Sequence, residues 1–396
     1  MRSLLAPAAV FLGLATLGGC GLQIAEPWGA ANAAVGSLDE SFDAGWGSGF
    51  TGSVDAIAML SDGGILAAGR FTAFDARARG GLVKFSADGV PDPGFGPFAI
   101  SPANASVHAV AVQSDGRVLV GGDFSGFAGG STAKIARLLP NGQLDTSFAV
   151  GSTGFDGVVS SIALDSQGRV YVGGTFSTYG GSAAPRLVRL AANGVRDTGF
   201  AVGSGFSLDV NEVVVESDDR VLAGGSFTAY QGISRSRFVR LLSDGSVDAS
   251  FATAIGTAAN GSVNALLSTS TGILVGGNFS FFGGLETGTS LWLDAFGARR
   301  ASFLSAGDTS AFARQADGAI LVGGDFNRVL DRVATLRLAR ISSDGTALDE
   351  AFLAANGTGF DGVVRALAIQ ADGKILVGGE FRTFNGVAAA GLLRLK

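Results

Sequence analysis

Short segments of apolar residues recur along most of this chain, and glycine-rich turns separate them. Val107–Val112 alternates apolar and other positions, as a strand with one buried face does. Asp115-Gly116 then fits a hairpin turn, because glycine adopts the positive φ that tight hairpins need. Residues 117–124 contain two adjacent glycines, which indicate a bulge or a close approach by a neighbouring sheet. We predict a second strand there, and a third and a fourth at residues 135–138 and 144–148.

The same arrangement of segments returns seven times, at an interval of about 52 residues. A Gly-Gly-x-Phe motif or a close variant marks the second strand of each unit, and an Asp-x-Ser-Phe motif or a variant marks its last segment. The first series ends in Phe71, Phe124, Phe176, Phe227, Phe279, Phe326 and Phe381. The second series ends in Phe42, Phe95, Phe148, Phe200, Phe251, Phe303 and Phe352. Two independent series with one period indicate a repeat protein.

Each repeat predicts four antiparallel strands joined by short turns. Four-stranded sheets repeated around an axis form a β-propeller. A linear stack of β units would need distinct polar caps, and none is evident in the sequence. The dense glycines and the two-residue period exclude a helical repeat. We therefore predict an all-β fold, a seven-bladed β-propeller of four-stranded antiparallel blades that occupies residues 36–396.

The two motif series are out of phase in a way that predicts how the ring closes. An Asp-x-Ser-Phe segment occurs at residues 38–42, before the first complete repeat. The seventh repeat has no such segment after its third strand, at residues 392–395. We expect the N-terminal strand to pair with the last blade and to close the ring, which would cover two exposed sheet edges.

A basic residue on the third strand accompanies an aspartate eight or nine residues later in five of the first six repeats. The pairs are Lys84/Asp92, Arg137/Asp145, Arg189/Asp197, Arg240/Asp248 and Arg340/Asp349. The fifth repeat has Trp292 and Arg300 at these positions, and this joint loss indicates that the two positions interact. The seventh repeat has Arg394 and no aspartate after it, so we expect Asp39 to be its ring-closure partner. We expect such pairs to be exposed and to fix register more than to add stability.

Composition removes several classes of function. The net charge is −6 and no cluster of lysine and arginine occurs, so we expect no nucleic-acid partner. One cysteine and one histidine exclude a disulfide framework and a His/Cys metal site. The acids of the Asp-Gly turns are dispersed one per turn, whereas calcium needs six to eight converging oxygens. We expect neither a metal nor a cofactor.

The N-terminal sequence predicts where in the cell the protein is located. One positive charge precedes an apolar stretch from Leu4 to Leu17, which is followed by Gly18-Gly19-Cys20. This sequence resembles a bacterial lipobox, in which the cysteine receives a lipid and becomes the new N-terminus. We expect residues 1–19 to be a lipoprotein signal peptide and residues 20–35 to be a tether lipidated at Cys20. The alternative is an ordinary secretory signal that is cleaved after Ala31-Asn32-Ala33, far beyond the apolar stretch.

The repeats resemble a known family. Their pattern is D-G-(R/K)-(I/V)-L-V-G-G-x-F, followed by A-R-L-x-x-(D/N)-G-x-L-D-x-S-F. It resembles the delta-60 repeat family of bacterial surface and secreted proteins, essentially over residues 37–396, and residues 372–381 match closely. The resemblance implies an exported repeat protein of propeller type with no settled biochemical activity, and it assigns no catalytic residue. The fifth repeat departs most from the pattern, at Leu291-Trp292-Leu293.

Positions that vary while their neighbours repeat are candidates for function. The residue before the phenylalanine of the first motif is polar in every repeat. These residues are Arg70, Asp123, Thr175, Ser226, Asn278, Asp325 and Glu380. We interpret them as a candidate binding rim, and the alternative is that this position is simply solvated. His108, the one histidine, is expected to be an ordinary strand residue, because no serine or cysteine nucleophile accompanies it.

The function hypothesis combines the address with the fold. We expect a monomeric lipoprotein of the bacterial envelope, held at the membrane through Cys20, that acts as a binding scaffold for a protein or a glycan and is not an enzyme. In a cell with two membranes, Gly21 favours the outer one by analogy with other lipoproteins. One alternative is a hydrolase or lyase that acts on a polysaccharide or a lactone through carboxylates in the axial channel. Another is a structural component of the envelope.

Overall fold

The computed structural model describes residues 35–396 except 43–45, 150–152, 304, 330–331 and 334–336. The predicted signal peptide, Cys20 and nearly all of the tether lie outside the described residues. The described part is almost entirely β-structure and contains two seven-residue helices, Ala249–Ile255 and Glu350–Asn356. Within it, no helix has the length and apolar character that crossing a membrane requires.

Seven antiparallel sheets follow one another along the described chain, and in each the second strand pairs with both the first and the third. The first three sheets are Val54–Met59, Ile65–Gly69 and Leu82–Phe85; Val107–Val112, Val118–Gly122 and Ile135–Leu138; Val159–Leu164, Val170–Gly174 and Leu187–Leu190. The fourth and fifth are Val210–Val215, Val221–Gly225 and Phe238–Leu241; Val263–Thr269, Gly272–Gly277, Ser290–Leu293 and Arg299–Phe303. The sixth and seventh are Ser305–Arg314, Ile320–Val329, Arg332–Val333 and Leu338–Ile341; Val364–Ile369, Ile375–Gly379 and Leu392–Leu395.

A small hairpin of two-residue strands lies between the second and third strands of six sheets in the described chain. Because antiparallel strands reverse direction, these hairpins lie at the end of the sheet where the first strand begins. The hairpins pair Ala73–Phe74 with Arg77–Ala78, Gly126–Phe127 with Gly130–Ser131 and Ile100–Ser101, Thr178–Tyr179 with Ser182–Ala183, Ala229–Tyr230 with Ile233–Ser234, Phe281–Phe282 with Leu285–Glu286, and Thr383–Phe384 with Val387–Ala388.

The first glycine of the Gly-Gly pair allows a close approach between neighbouring sheets. A Cβ atom on Gly121 would lie 2.3 Å from Cγ1 of Val159, on the first strand of the third sheet. The first strand of each sheet packs against the first strand of the next sheet in the described part of the chain. Val364–Ile369 of the seventh sheet likewise contacts Val54–Met59 of the first. At this last junction a Cβ on Gly378 would lie 2.9 Å from Cγ1 of Val54.

The second glycine of the pair lies beside a bulge in the first strand of its own sheet. Val107 pairs with Gly122 and Ala109 pairs with Gly121, so His108 is an extra residue in the first strand. A Cβ atom on Gly122 would lie only 2.0 Å from the carbonyl oxygen of the residue before Val107. A bulge and a close approach were the two alternative causes predicted for these glycines, and both occur, one at each glycine.

The predicted fourth strand is wrong for six of the seven repeats. Only one residue of that segment pairs with the third strand in each of them. These residues are Pro91, Leu144, Arg196, Val247, Leu348 and, for the seventh sheet, Leu38. The aspartate of the motif is the cause, because the Asp145 carboxylate accepts a hydrogen bond from the backbone N–H of Ser147 at 3.0 Å and so forms a turn. In the fourth and sixth repeats Asp248 and Asp349 instead cap the two helices.

The fifth repeat shows what happens without that aspartate. Arg300 occupies the position, and a full fourth strand, Arg299–Phe303, pairs with Ser290–Leu293. The Arg300 guanidinium lies over the ring of Trp292, at 5.6 Å from its centroid. In the second repeat the guanidinium is on the third strand and the ring is in the last segment, as Arg137 over Phe148 at 4.8 Å. The fifth repeat therefore keeps the cation–π contact with the two roles exchanged.

The predicted basic–acidic pairs are in contact, and several are buried, contrary to expectation. The nitrogen–oxygen distances are 3.4 Å for Lys84–Asp92, 2.8 Å for Arg137–Asp145, 2.7 Å for Arg189–Asp197 and 2.9 Å for Arg240–Asp248, and Arg340 also pairs with Asp349. Arg137, Arg189 and Arg240 are buried, because each stacks on a phenylalanine of its own repeat. Breaking such a pair leaves a buried charge without a partner, so these pairs contribute more than register.

Each of these three buried arginines also reaches the next sheet. Arg137 Nη1 donates to the carbonyl oxygen of Ala192 at 2.6 Å, in the turn after the third strand of the third sheet. Arg189 and Arg240 repeat this contact, at 2.5 and 2.6 Å, with the equivalent turns of the fourth and fifth sheets. We call Arg137, Arg189, Arg240 and Arg394 the arginine belt.

Arg394 of the seventh repeat makes the same set of contacts as the other belt arginines. Its Nε donates to Asp39 Oδ2 at 2.9 Å, and its guanidinium lies 4.7 Å from the centroid of Phe42. Its Nη1 donates to the carbonyl oxygen of Ala87 at 2.7 Å, in the turn of the first repeat. The backbone N–H of Asp39 donates to the carbonyl oxygen of Arg394 at 2.9 Å. Residues 38–42 therefore contact the seventh sheet as the equivalent segments contact theirs.

Candidate functional site

The bulges bring seven polar side chains to one place. In each first strand, one residue pairs with the second glycine of the Gly-Gly pair and another pairs with the first glycine. A single extra residue, the bulge residue, lies between these two, and it is polar in every repeat. These residues are Asp55, His108, Ser160, Asn211, Asn264, Ser310 and Arg365. We call them the bulge ring. All seven line a single cavity of about 450 Å³ between the first strands.

A smaller cavity of about 210 Å³ adjoins the first one and shares most of the bulge ring with it. The residues that follow the bulge are small in most repeats and line this second cavity, together with an apolar set. The small residues are Ala56, Ala109, Ser161, Ala265, Ala311 and Ala366, and the apolar ones are Ile57, Val110, Ile162, Leu266, Phe312 and Leu367. The site therefore combines the polar bulge ring with a smaller apolar part, and its accessible surface is mainly polar.

Charged groups concentrate on the side of the cavity formed by the seventh, first and second sheets. Asp55 accepts a hydrogen bond from Arg70 at 2.9 Å and lies 3.7 Å from His108 Nδ1 and 3.8 Å from Arg365. Burial alone would raise the pKa of Asp55, but the bonds from His108 and Ser53 and the charges of the two arginines outweigh it and lower the pKa. Asp55 is therefore ionised and held by its neighbours at neutral pH.

The opposite side of the cavity is formed mainly by neutral polar groups. Asn211 Nδ2 donates to Asn264 Oδ1 at 2.9 Å, and Ser160 and Ser310 lie on the adjoining sheets. Amides and hydroxyls both donate and accept hydrogen bonds, so this side matches a ligand that does the same. Asp308, just before the bulge of the sixth sheet, adds one carboxylate to the lining.

Glu212 is the exception among the small residues that follow the bulge. Its side chain lines both cavities. Burial raises the pKa of Glu212 to about 8, so the carboxyl group is protonated at neutral pH. Within the part of the chain that the structure describes, no three His, Cys, Asp or Glu side chains group together as metal ligands.

The candidate binding rim is not assembled at this cavity as a set. Arg70 lines the cavity beside Asp55, and Glu380 pairs with Arg365 at 2.6 Å. The others contact nearby chain segments: Asp123 pairs with Lys134 at 2.7 Å, Asp325 with Arg337 at 3.3 Å, Ser226 contacts Ser262 at 3.0 Å, and Thr175 and Asn278 accept hydrogen bonds from backbone N–H groups at 3.0 and 2.7 Å. The rim position is thus largely occupied with local contacts.

The bulge ring was missed by sequence reasoning, although a signal was present. The position between the first residue of the strand and the following alanine varies from repeat to repeat in V-x-A segments such as 54–56, 107–109 and 364–366. In a regular alternating strand this position would be an ordinary one. It becomes an extra residue only because pairing with the Gly-Gly segment produces a bulge, which the sequence of the strand alone does not show. His108, predicted to be an ordinary strand residue, is one of these bulge residues.

Solved structures show what the fold is similar to. The extracellular domain of the hybrid two-component system BT4673 from B. thetaiotaomicron aligns with 88% of this chain at a TM-score of 0.54 and 13% identity. The alignment covers 39% of that domain, so this chain spans well under half of its length. The WD40 beta propeller domain of Doa1 aligns over 91% of this chain and 95% of its own, at a TM-score of 0.54 and 14% identity. At these identities the likeness concerns the fold alone.

The sequence also matches a family model. No curated protein sequence matches the chain. The model described as "Domain of unknown function (DUF5122) beta-propeller" matches residues 60–95, 113–148, 166–200, 216–251, 315–350 and 370–396, which is more than half of the chain. The unmatched stretch between 251 and 315 contains the fifth repeat, whose aspartate and third-strand arginine are replaced. With its repeated β-sheets and these six matched segments, the chain belongs to the DUF5122 beta-propeller family.

Proposed function

We propose that this protein is a closed, seven-bladed propeller that binds the end of a glycan in the cavity enclosed by the bulge ring. One observation carries the proposal: repeats that are otherwise alike present five different polar residue types around one cavity. The buried motif phenylalanines, which serve folding, repeat one residue type. The rim position also varies, but its side chains do not meet at one cavity as those of the bulge ring do. A cavity of about 450 Å³ fits the end of a chain better than the surface of a folded protein.

Closure of the ring is supported by contacts at the junction of the seventh and first sheets. Gly378 faces Val54 there as Gly121 faces Val159 within the chain. Arg394 contacts Asp39 and the turn of the first repeat as the other belt arginines contact their partners. A closed ring would give the cavity walls on all sides and would cover two sheet edges.

We propose the cellular location from the sequence. The lipobox-like segment that ends in Cys20 and the resemblance to exported delta-60 repeat proteins both support a lipoprotein of the bacterial envelope. Such a protein would present the cavity outside the cytoplasm, on the outer membrane of a cell that has two membranes. Replacement Cys20→Ser should move the protein from the membrane fraction to the soluble fraction. Retention of this variant in the membrane would contradict the anchor.

The binding proposal is tested by a glycan array probed with the purified protein. We compare the native protein with the double variant Asn211→Ala/Asn264→Ala, which removes the amide pair of the cavity. Asp123→Ala is the matched control, because Asp123 varies among repeats but contacts Lys134 away from the cavity. We expect binding of at least one glycan, with a loss of about tenfold or more in the double variant and no loss in the control. Equal binding by all three proteins would contradict the site.

A hydrolase or lyase is the second candidate, and one observation favours it. Asp55 and Glu212 line the same cavity with pKa values moved in opposite directions, and many glycosidases use one ionised and one neutral carboxyl group. Incubation of a bound glycan with the protein, followed by assay of new reducing ends and unsaturated products, distinguishes the two. New product that disappears in Glu212→Gln would establish an enzyme, whereas an unchanged glycan supports binding alone. A structural envelope component predicts no glycan binding at all.

A further inference from the structure

Glu212 interrupts a run of small residues. The residue after the bulge is alanine in five repeats and Ser161 in the third. The Ser161 hydroxyl accepts a hydrogen bond from the backbone N–H of Val213 at 3.0 Å, so the fold itself uses it. Glu212 occupies the same position in the fourth repeat and lines both cavities. Folding of the repeat does not require a carboxyl group here, since five repeats fold with a methyl group.

The Glu212 carboxyl group makes no hydrogen bond or ion pair with another group in the described part of the chain. Glu212 lies on the first strand of the fourth sheet, which packs between the first strands of the third and fifth sheets. Ser160, Ser161 and Asn264 of these neighbouring strands line the same cavity as Glu212, and none of the three titrates. Glu212 is half-buried, and its carboxyl group, which has no protein partner, is available to water or to a ligand in the cavity.

Most of the charged groups around the cavity are paired with one another. Asp55 is held by Arg70, Arg365 and His108, and Arg365 is also paired with Glu380. Asp308 is the further carboxylate in the lining. Burial is the cause that raises the pKa of Glu212 to about 8, so at neutral pH its carboxyl group offers one donor and one acceptor. With Ser160, Asn211, Asn264 and Ser310 it forms a wall of uncharged donors and acceptors.

Resting on the proposed binding function, we propose that the group bound in the cavity is an uncharged sugar ring, with Glu212 donating a hydrogen bond to one of its hydroxyl groups. A hydroxyl group both donates and accepts, so it matches the neutral acid, the two amides and the two serine hydroxyls. A sugar carboxylate would compete with Asp55 and Glu380 for the two arginines of the lining and would meet the Asp308 carboxylate. A sugar ammonium group would pair best with an ionised Glu212, whereas burial keeps this group protonated at neutral pH. The apolar side chains below the ring would contact the C–H face of the sugar.

The test uses D-glucose, D-galactose and N-acetylglucosamine as neutral probes, with glucosamine and glucuronic acid as charged counterparts. The full protein is labelled with ¹³C at the carboxyl carbons of its seven glutamates, and Glu212→Gln assigns the Glu212 signal. We expect at least one neutral probe to shift this signal at pH 6.5 and to bind more tightly than either charged probe. The affinity should fall about tenfold or more between pH 6.5 and pH 9.5 as Glu212 ionises.

Two variants separate the inference from the function on which it rests. Glu212→Gln keeps a neutral donor, so its affinity should stay within about threefold of the native value and lose the pH dependence. Glu212→Ala should lose about tenfold at pH 6.5 while it keeps its circular dichroism spectrum. If Asn211→Ala/Asn264→Ala abolishes binding but both Glu212 variants bind as the native protein does at every pH, the site stands and this inference fails. Tighter binding of glucosamine than of every neutral probe at pH 6.5, where its amino group is charged, would also overturn it, and no binding by any probe would overturn both.

Discussion

The arginine belt and the bulge ring are both built from one residue per repeat, but they differ in what repeats. In the belt, Arg137, Arg189, Arg240 and Arg394 make one set of contacts again and again: an aspartate, a phenylalanine and a carbonyl of the next sheet. In the ring, the backbone geometry repeats while the side chain changes from Asp to His, Ser, Asn and Arg. Repeated side chains indicate a structural requirement, whereas varied side chains that meet at one cavity make that cavity the candidate for a ligand site.

The largest expected effect comes from breaking the belt where residues 38–42 meet the seventh sheet. Asp39→Ala leaves Arg394, which is 2% exposed, without its carboxylate. We expect the free energy of unfolding to fall by about 3 to 5 kcal/mol, as for other buried pairs that lose one partner. Urea unfolding followed by circular dichroism measures the change. Asp145→Ala is the matched control within the chain, and a much smaller loss for Asp39→Ala than for Asp145→Ala would argue against a closed ring.

The second effect concerns Glu212, next to the bulge ring, and here the substitution should raise the free energy of unfolding. The pKa of Glu212 rises from 4.5 in the unfolded chain to about 8 in the folded protein, so the folded state holds the proton more tightly. Stability from this group is complete below pH 4.5 and is lost as the pH rises toward 8. We expect Glu212→Gln to be more stable than the native protein at pH 9 by about 2 to 5 kcal/mol, and nearly equal to it at pH 4. Equal stability at pH 9 would show that Glu212 is not buried as a neutral acid.

The third effect tests the belt by acid. Burial opposes ionisation of Asp39, but Ser41 and Arg394 outweigh it and lower the pKa from 3.8 to about 2. The group therefore contributes stability that is present above pH 3.8 and is lost as the pH falls toward 2. Melting temperatures between pH 5 and pH 2 should fall more steeply for the native protein than for Asp39→Asn. At pH 5 the free energy of unfolding should be about 2 kcal/mol lower for Asp39→Asn than for the native protein. Parallel curves of melting temperature against pH would contradict the pairing.

The smallest effect concerns the fifth repeat, where the belt is replaced. Arg300→Asp restores the motif aspartate but leaves Trp292 in place of its arginine. We expect a loss of about 0.5 to 1.5 kcal/mol, because the cation–π contact over Trp292 is lost and the fourth strand is interrupted by a turn. Thermal unfolding measures it. A stabilised variant would show that the exchange of roles in this repeat is not itself a favourable contact.

The sequence predicted those features that depend on local spacing. The Gly-Gly and Phe series located the seven sheets, and the joint loss of two positions in the fifth repeat identified the basic–acidic pairs. The fourth strand was wrong because the Asp-x-Ser motif has a turn preference that the strand interpretation ignored. The expected exposure of the pairs is wrong, because sequence does not show that Arg137, Arg189 and Arg240 each stack on a phenylalanine of their own repeat.

The site was predicted least well. The residue type at the candidate rim position varies among repeats, yet its members make local contacts. Asp123, for example, pairs with Lys134 of its own repeat. His108 varies equally, but its place in the cavity depends on a bulge, and that bulge depends on the register between two strands. Convergence of residues more than 300 positions apart, such as Asp55 and Arg365, is a property of the arrangement of sheets and not of any segment. Variation among repeats identifies candidates, and only the structure shows which of them meet.

The most direct test measures affinity and stability together for one change in each region. Using a glycan that binds the native protein, titration calorimetry and thermal unfolding are carried out on Asn211→Ala/Asn264→Ala and on Asp145→Ala. We expect the ring variant to lose affinity about tenfold or more with little change in melting temperature. We expect the belt variant to melt at a lower temperature but to bind as the native protein does while it is folded. A belt variant that loses binding while still folded, or a ring variant that binds normally, would contradict the division between the two regions.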